Sequence, residues 1–473
     1  MSQKIAVLLC NCGLTLDKRV DFEALKAHAA ALDGVAAVEI VPALCMLPGQ
    51  DAIARVVQES GATAIVAVSC SPRTHGHRIH DAARAAGVNR YLVEIVDLKG
   101  VLLSTGGGND LSRVRDHVAM AVARTRLLEP LEPLVEPIEK SLVVIGGGVA
   151  GIAAAYVAAN AGLRTYVVEN GPRIGGRGLK LKVELGHAPL PASELAEWTK
   201  FITMSPKVSV LTGSKVTRLS GTAGRYTVTV QGPVQERDIV AGTVILASGA
   251  SQSEAGGLYG LGTSSKVITQ SAFEEKLPTG LPAGVKNLVF IQCAGSRDEK
   301  SVPYCSRTCC MVAMKQAAYV RKTWPEANVT VLFRDLQTGG VGTPLVKLLY
   351  HAPGFGIGFA RFDPANPPVV GADAVEVKDL LTGESKRIPY DLAVLATPTV
   401  PAGGTVALAE MLGFDVDRFG FAAEPLMRAR PVDHPERGVF VVGSAHWPCT
   451  MREAAQQGIE AASRAVHMID APK

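Results

Sequence analysis

The sequence has almost no excess of charge of either sign. Its 473 residues carry 48 Lys or Arg against 44 Asp or Glu, a formal net charge of +4. So small a surplus gives no footing for nucleic-acid binding, and none is expected. A secretory leader is also missing: Met1-Ser-Gln-Lys runs straight into a strand-like segment. The cysteines number nine, an odd count in a large chain, which argues against a disulfide framework. They read as cytoplasmic thiols, metal ligands or redox groups. No C-x-x-C redox pair is present. One charge-free run, residues 141–163, could span a bilayer by length. It holds five glycines and an Asn, which have a better use below, so no membrane span is expected.

What is there is enough apolar residue, 47%, to bury large cores. The length suggests two to four domains. Residues 4 to about 127 alternate strand and helix patterns. KIAVLL, AAVEIV, TAIVAVS and YLVEIV read as strands; DFEALKAHAAAL, GQDAIARVVQES and HRIHDAARAAG read as helices. That alternation predicts a small parallel α/β domain over 1–127. GGGND (106–110) reads as a turn, and LSRVRDHVAMAVARTRLL as a helix. LEPLEPLVEPIEK (128–140) holds three prolines and reads as an extended linker. A larger α/β block follows, in two parts: a dinucleotide-binding domain from 141–286 and 391–473, and an inserted domain from 287–390.

LVVIGGGVAG is a strand entering G-x-G-x-x-G, with Gly146, Gly148 and Gly151. The first glycine permits a tight turn, the second lets backbone approach a pyrophosphate, and the third lets helix and strand pack closely. Val149 and Ala150 open the helix, whose N-terminus favours phosphate. A second strand ends at Glu169, 18 residues past Gly151, placed to accept from ribose hydroxyls. With strand, helix and acid in place, a dinucleotide site is expected. In flavoproteins with two dinucleotide-binding units, a Gly-Gly pair commonly follows the acid. Asn170 and then Gly176 and Arg177 match that pattern. TVILASGA resembles the superfamily's ATG motif, at Ala247, Ser248 and Gly249. GVFVVGS resembles the strand that ends at the flavin's ribityl chain, with Gly443, and Ser444 where Asp is usual. These resemblances favour FAD.

The second dinucleotide unit should open with another glycine loop. Instead NLVFIQ runs into Cys293, and PYCSRTCCMVAMKQAAYVRK brings Cys305, Cys309 and Cys310 to the start of a helix. Four thiolates are the usual ligand set of an iron–sulfur cluster. Zinc, buried structural thiols and a strained vicinal disulfide are the alternatives. Adjacent Cys309 and Cys310 diverge by about 100° on a regular helix, so they can share one cluster only at a helix start or a distorted turn. In the N-terminal domain, Cys10, Cys12, Cys45 and Cys70 all lie at C-terminal ends of predicted strands. One sheet edge collects such ends. These four suggest a second cluster, a three-ligand site with one spare, or isolated core thiols.

The chain resembles the A component of heterodisulfide reductase over nearly its whole length. The marks are CNCG followed by VDFEAL, then CMLPGQ, VAVSCSPRTH, AVARTRLLEPLE, IGGGVAGIAAA and FIQCAGSRDE…YCSRTCCMVAMKQA. The resemblance implies an N-terminal iron–sulfur domain followed by a thioredoxin-reductase-like FAD domain, α/β throughout. It implies a [4Fe–4S] cluster on Cys293, Cys305, Cys309 and Cys310, with Lys315 near the flavin's reactive edge. It places Cys449 near the flavin. The expected assembly is a homodimeric core with other Hdr-like subunits. The C-x2-C-x2-C-x3-C-P runs of longer members are absent, so the chain resembles short forms from sulfur-oxidising microbes. The expected function is FAD- and iron–sulfur-dependent electron transfer in cytoplasmic sulfur or disulfide oxidation. A self-sufficient NAD(P)H-dependent disulfide or polysulfide reductase and a scaffold with vestigial cofactor sites are the rivals.

Overall fold

The computed structural model describes residues 3–104, 111–132, 137–183, 192–337, 352–424, 431–434 and 438–470. The GGGND segment lies outside them. The chain divides into two units, Met1–Val135 and Glu136–Lys473.

The first unit is built on a four-stranded parallel sheet. Its order from edge to edge is Val35–Val41, Ile5–Cys10, Ala64–Ser69, Val93–Asp97. The two central strands are apolar throughout and fully covered: Ile5 to Leu9 and Ala64 to Val68 have no exposed surface. This is what a parallel sheet with helices on both faces requires. Two helices start earlier than their apolar pattern suggests, at Leu47 and at Pro72. Each carries a proline in its first turn, where the missing N–H costs nothing. Both helices therefore begin within two residues of a cysteine, Cys45 or Cys70.

The second unit holds two five-stranded parallel sheets. In the first, the order is Val439–Val441, Thr243–Leu246, Ser141–Ile145, Arg164–Val168, Val208–Leu211. The charge-free run 141–163 is spent on the central strand and the 12-residue helix Val149–Asn160. Among the described residues no helix is long and apolar enough to cross a membrane. The last helix, Met451–Asp470, lies on that first helix. Small residues let them touch: a Cβ on Gly458 would stand 2.2 Å from the Ala150 carbonyl oxygen.

The other sheet has the order Val267–Thr269, Leu392–Leu395, Asn287–Ile291, Asn328–Phe333, Ile357–Arg361. It draws on both sides of 287–390. Val267–Thr269 and Leu392–Leu395 pair inside it, although the sequence pattern assigns both to the first domain. These strands are three and four residues long, too short to announce a sheet by periodicity. The run from 236 to 246 also splits between two sheets. Glu236–Ala241 joins an antiparallel meander, while Thr243–Leu246 joins the first parallel sheet. Gly242 sits at the break, where a Cβ would stand 2.1 Å from the Glu139 carbonyl oxygen.

Candidate functional site: a dinucleotide cavity walled by a cysteine helix

A cavity of ≈ 490 Å³ opens over the end of the strand Ser141–Ile145, within the usual range for a ligand pocket. Gly146 adopts a φ of +111°, and a Cβ there would meet the Ala247 carbonyl oxygen at 2.3 Å. A Cβ on Gly151 would stand 1.9 Å from the Gly146 carbonyl oxygen. Both glycines are therefore demanded by packing. Gly148 differs. It precedes the helix with φ −78°, and a Cβ there would meet nothing within 4 Å. Its bareness leaves room for a ligand, which is the fit a pyrophosphate requires.

Glu169 receives the Gly147 N–H on Oε2 at 2.8 Å and the Gly171 N–H on Oε1 at 2.6 Å. Each carboxylate oxygen keeps further accepting capacity, so the residue can still take ribose hydroxyls. Gly146, Gly148, Val149, Ala150, Glu169, Gly176, Arg177, Ala247, Ser248, Gly249, Gly443 and Ser444 all line the cavity. Two of the expected residues do not. Gly151 lies beneath the turn, and Asn170 is exposed outside the wall. The Gly443 N–H is committed to Gln457 Oε1 at 2.6 Å. Ser444 faces Cys449, with 3.3 Å between Oγ and Sγ. Cys449 lines the cavity too, and burial pushes its thiol up to about 11.

The opposite wall comes from the helix Cys309–Thr323, through Met311, Val312 and Lys315. Lys315 is no solvated surface lysine. Its Nζ stands 2.6 Å from Glu274 Oε1, with the two side chains 18% and 3% exposed.

The same helix opens with Cys309 and Cys310, both buried. A hydrogen bond between the two thiols shows them within reach of each other. The Cys309 thiol is raised well above its ordinary value. Its hydrogen bond to Cys310 contributes most, then burial, then the charges of Cys310, Cys293 and Cys305. Cys310, on the accepting side of that bond, is lowered to about 7 against its burial. Burial raises Cys293, which feels Cys310 and Cys305 as well as Arg297 and Arg334. The four thiols therefore stand within electrostatic reach of one another. Cys293 (φ +56°), Arg297 (φ +57°) and Arg307 (φ +59°) hold left-handed backbone around them. The Arg307 N–H donates to Cys305 Sγ at 3.3 Å, a backbone-to-sulfur bond of the kind that tunes iron–sulfur centres.

In the N-terminal unit the other four cysteines also share one edge. Cys10 ends a central strand; Cys70 follows the next; Cys45 precedes the helix Leu47–Ser60. Cys12 sits in the turn between, with φ +55°. Burial raises Cys10 and Cys70. Cys12 is lowered, chiefly by a hydrogen bond from Lys99. Cys10 interacts with Cys12 and Cys45, and Cys70 with Cys12 and Cys10. Among the described residues, no three His, Cys, Asp or Glu side chains are grouped to share a single metal ion.

Two wall elements escaped the sequence pattern. Thr308, Met311 and Val312 come from the cysteine helix and its cap, and Thr450, Met451 and Arg452 from the start of the last helix. The second group had a readable signal. Thr450-x-x-Glu453 is a capping box: Thr450 Oγ1 accepts the Glu453 N–H at 3.2 Å, and Glu453 Oε2 accepts the Thr450 N–H at 2.8 Å.

Residues 140–289 match the family model for pyridine nucleotide-disulphide oxidoreductases. The A component of the H(2):CoB-CoM heterodisulfide,ferredoxin reductase of Methanothermobacter marburgensis is 28% identical, over 98% of this chain and 84% of the relative. The chain is a relative of the heterodisulfide reductase A components. The iron-sulfur A component of CoB–CoM heterodisulfide reductase from Methanocaldococcus jannaschii is 27% identical, over 98% of this chain and 85% of that protein. A protein of Archaeoglobus profundus, named as like the heterodisulfide reductase A component, is also 27% identical, with 98% and 86% covered. Among solved structures, the thioredoxin reductase of T. acidophilum aligns with a TM-score of 0.47 at 17% identity, over 69% of this chain and 98% of that one. The kinship with these A components and the family match make this chain an oxidoreductase with a two-sheet dinucleotide-binding architecture.

Proposed function

We propose that the chain is the FAD- and iron–sulfur-dependent electron-transfer subunit of a heterodisulfide-reductase-like complex, working in the cytoplasm on sulfur or disulfide oxidation. The observation that carries this reading is one helix doing two jobs. Cys309–Thr323 brings two thiols of a quartet to its first turn and lines the dinucleotide cavity with the next residues. A nicotinamide-binding unit would put a glycine loop in that place. FAD bound in the cavity supplies both two-electron and one-electron exchange, and a cluster on the thiols supplies one-electron exchange.

The chain's own residues divide the work. Gly148 and the N-terminus of the helix Val149–Asn160 hold the pyrophosphate, and Glu169 the ribose. Cys293, Cys305, Cys309 and Cys310 would hold one [4Fe–4S] cluster; Cys10, Cys12, Cys45 and Cys70 would hold a second. Arg297 and Arg334, both felt by Cys293, offset the negative charge that four thiolates bring. Lys315, anchored by Glu274, presents a cation to the flavin side of the cavity. Partners are other Hdr-like subunits, built on a homodimeric core, which would deliver or remove electrons.

The test is an anaerobic count of FAD, iron and acid-labile sulfide on the full chain, followed by mixing with NADH. Two clusters give about eight irons per FAD and one gives about four. NADH should leave the flavin oxidised; bleaching faster than ~1 s⁻¹, the low end of ordinary turnover, would favour a self-sufficient reductase. A colourless, iron-free protein would sink the proposal and favour a scaffold.

A further inference from the structure

The loop that carries Cys305 runs directly into the cavity wall at Thr308, and one of its long side chains reaches a second part of that wall. Arg307 follows Cys305 by two residues and holds a left-handed backbone with φ +59°. That conformation is uncommon for a residue with a Cβ. It turns the Arg307 N–H toward Cys305 Sγ, 3.3 Å away. The side chain leaves in another direction and bridges two acceptors. Nη1 donates to the Pro448 carbonyl oxygen at 2.9 Å, and Nη2 meets Glu453 Oε1 at 2.8 Å.

Those acceptors belong to the start of the last helix. Glu453 is half of its capping box with Thr450. Between Pro448 and Glu453 lie Cys449, Thr450, Met451 and Arg452, all on the cavity wall. Burial would raise the Glu453 carboxyl, but the Thr450 N–H and Arg307 outweigh it and hold it below the usual range. The pair is therefore charged at neutral pH.

Its contribution to stability is small, because the Arg307 and Glu453 side chains are 47% and 36% exposed and solvent screens such pairs. What the pair does supply is geometry. A planar guanidinium with two fixed donors sets direction as well as distance. The same loop is pinned on another side, where Ser306 Oγ accepts the Thr399 N–H at 2.8 Å and Tyr304 donates to the Thr399 carbonyl oxygen at 3.0 Å. Among these three, only Arg307 reaches the residues that flank the wall stretch Cys449–Arg452.

We propose that Arg307 is a positioning residue that fixes where the Cys305 corner of the quartet sits relative to the flavin cavity. This rests on the function proposed above. One electron leaves the flavin for each that the cluster gains, and Arg307 takes no part in that exchange. It fixes where the Cys305 corner stands during the exchange.

The test uses the full chain, loaded anaerobically with FAD and iron, as wild type, Arg307→Ala, Arg307→Lys and Glu453→Gln. Three quantities are read: cofactor content, the midpoint potentials of both centres, and the rate of electron exchange between them after photoreduction. Arg307→Ala should keep its FAD, iron and potentials while exchange slows severalfold. Glu453→Gln should slow exchange less. Arg307→Lys, which keeps the charge but not the planar fork, should fall between Arg307→Ala and wild type. Wild-type exchange in Arg307→Ala overturns the proposal. So does loss of iron or a shifted potential in that variant, which would make Arg307 a support or tuner of the cluster. A wild-type chain without iron fails earlier, at the proposed function itself.

Discussion

Lys315 Nζ lies 2.6 Å from Glu274 Oε1, and that buried carboxylate is shared among four donors. Oε1 also accepts the Lys182 and Val183 N–H groups at 3.0 and 3.1 Å, and Oε2 accepts Gln316 Nε2 at 2.8 Å. The network ties the cavity segment ending at Val183 to the cysteine helix. Removing each partner should therefore have unequal effects. Lys315→Met leaves Glu274 with three donors and should cost about 1–3 kcal/mol. Glu274→Leu strands all four donors, one of them charged, and should cost about 3–5 kcal/mol. Urea unfolding of the two variants checks the order; equal costs would deny the network.

Gly148 and Gly151 separate binding from folding. Gly148→Ala meets no atom in the polypeptide, so its FAD-free form should melt at the Tm of FAD-free wild type while it binds FAD poorly. Gly151→Ala drives a methyl against the Gly146 carbonyl oxygen and should destabilise by about 1–3 kcal/mol, the range for overpacking. Thermal melts beside flavin absorbance after dialysis distinguish the two. Normal FAD content in Gly148→Ala would place the pyrophosphate elsewhere.

The two quartets should load independently. Cys310→Ser should lose about four of about eight irons and Cys12→Ser the other four, with FAD retained in both. Iron assays and the spectra of reduced samples measure this. A variant of one quartet that empties both would show that they do not assemble separately.

Acid should weaken the separate three-stranded antiparallel sheet Val369–Val370, Ala374–Lys378, Ser385–Pro389 through Asp379, which follows its middle strand. This residue is buried, pairs with Lys386 at 2.6 Å and accepts the Arg361 and Leu381 N–H groups at 2.9 and 3.0 Å. Burial alone would raise its carboxyl, but Lys386 and the two N–H groups hold it below the ordinary value of 3.8. A depressed carboxyl stabilises the fold fully above the ordinary value and loses that contribution as pH falls through the folded one. Asp379→Asn should thus cost about 1.5–3 kcal/mol near neutrality, the worth of hydrogen bonds to a charged group. The gap from wild type should narrow only below pH 3.8. A gap that narrows already between pH 7 and 5 would contradict this.

The glycine cradle and Glu169 were legible because their physics is local. A strand, three glycines and a helix start within eleven residues leave few other uses. The cysteines were legible as chemistry. Their proposed grouping into two quartets rests on one rule about strand ends and one about helix starts. The Arg307 bridge was not legible, since it joins positions 141 and 146 residues apart, and nothing in a charged residue beside Cys305 names its partner. The sheet boundaries failed for a related reason. Val267–Thr269 owes its place to pairing with Leu392–Leu395, not to its own pattern. Asn170, expected beside Glu169, is exposed and does not line the cavity.

The described residues include seven non-glycine positions with left-handed backbone, and five of them, Cys12, Leu14, Cys293, Arg297 and Arg307, belong to the two cysteine loops. Each such residue costs of order 1–3 kcal/mol wherever it is held. Strain held at those turns is offset by the contacts around them, so cutting such contacts should loosen the two loops before the sheets beneath them.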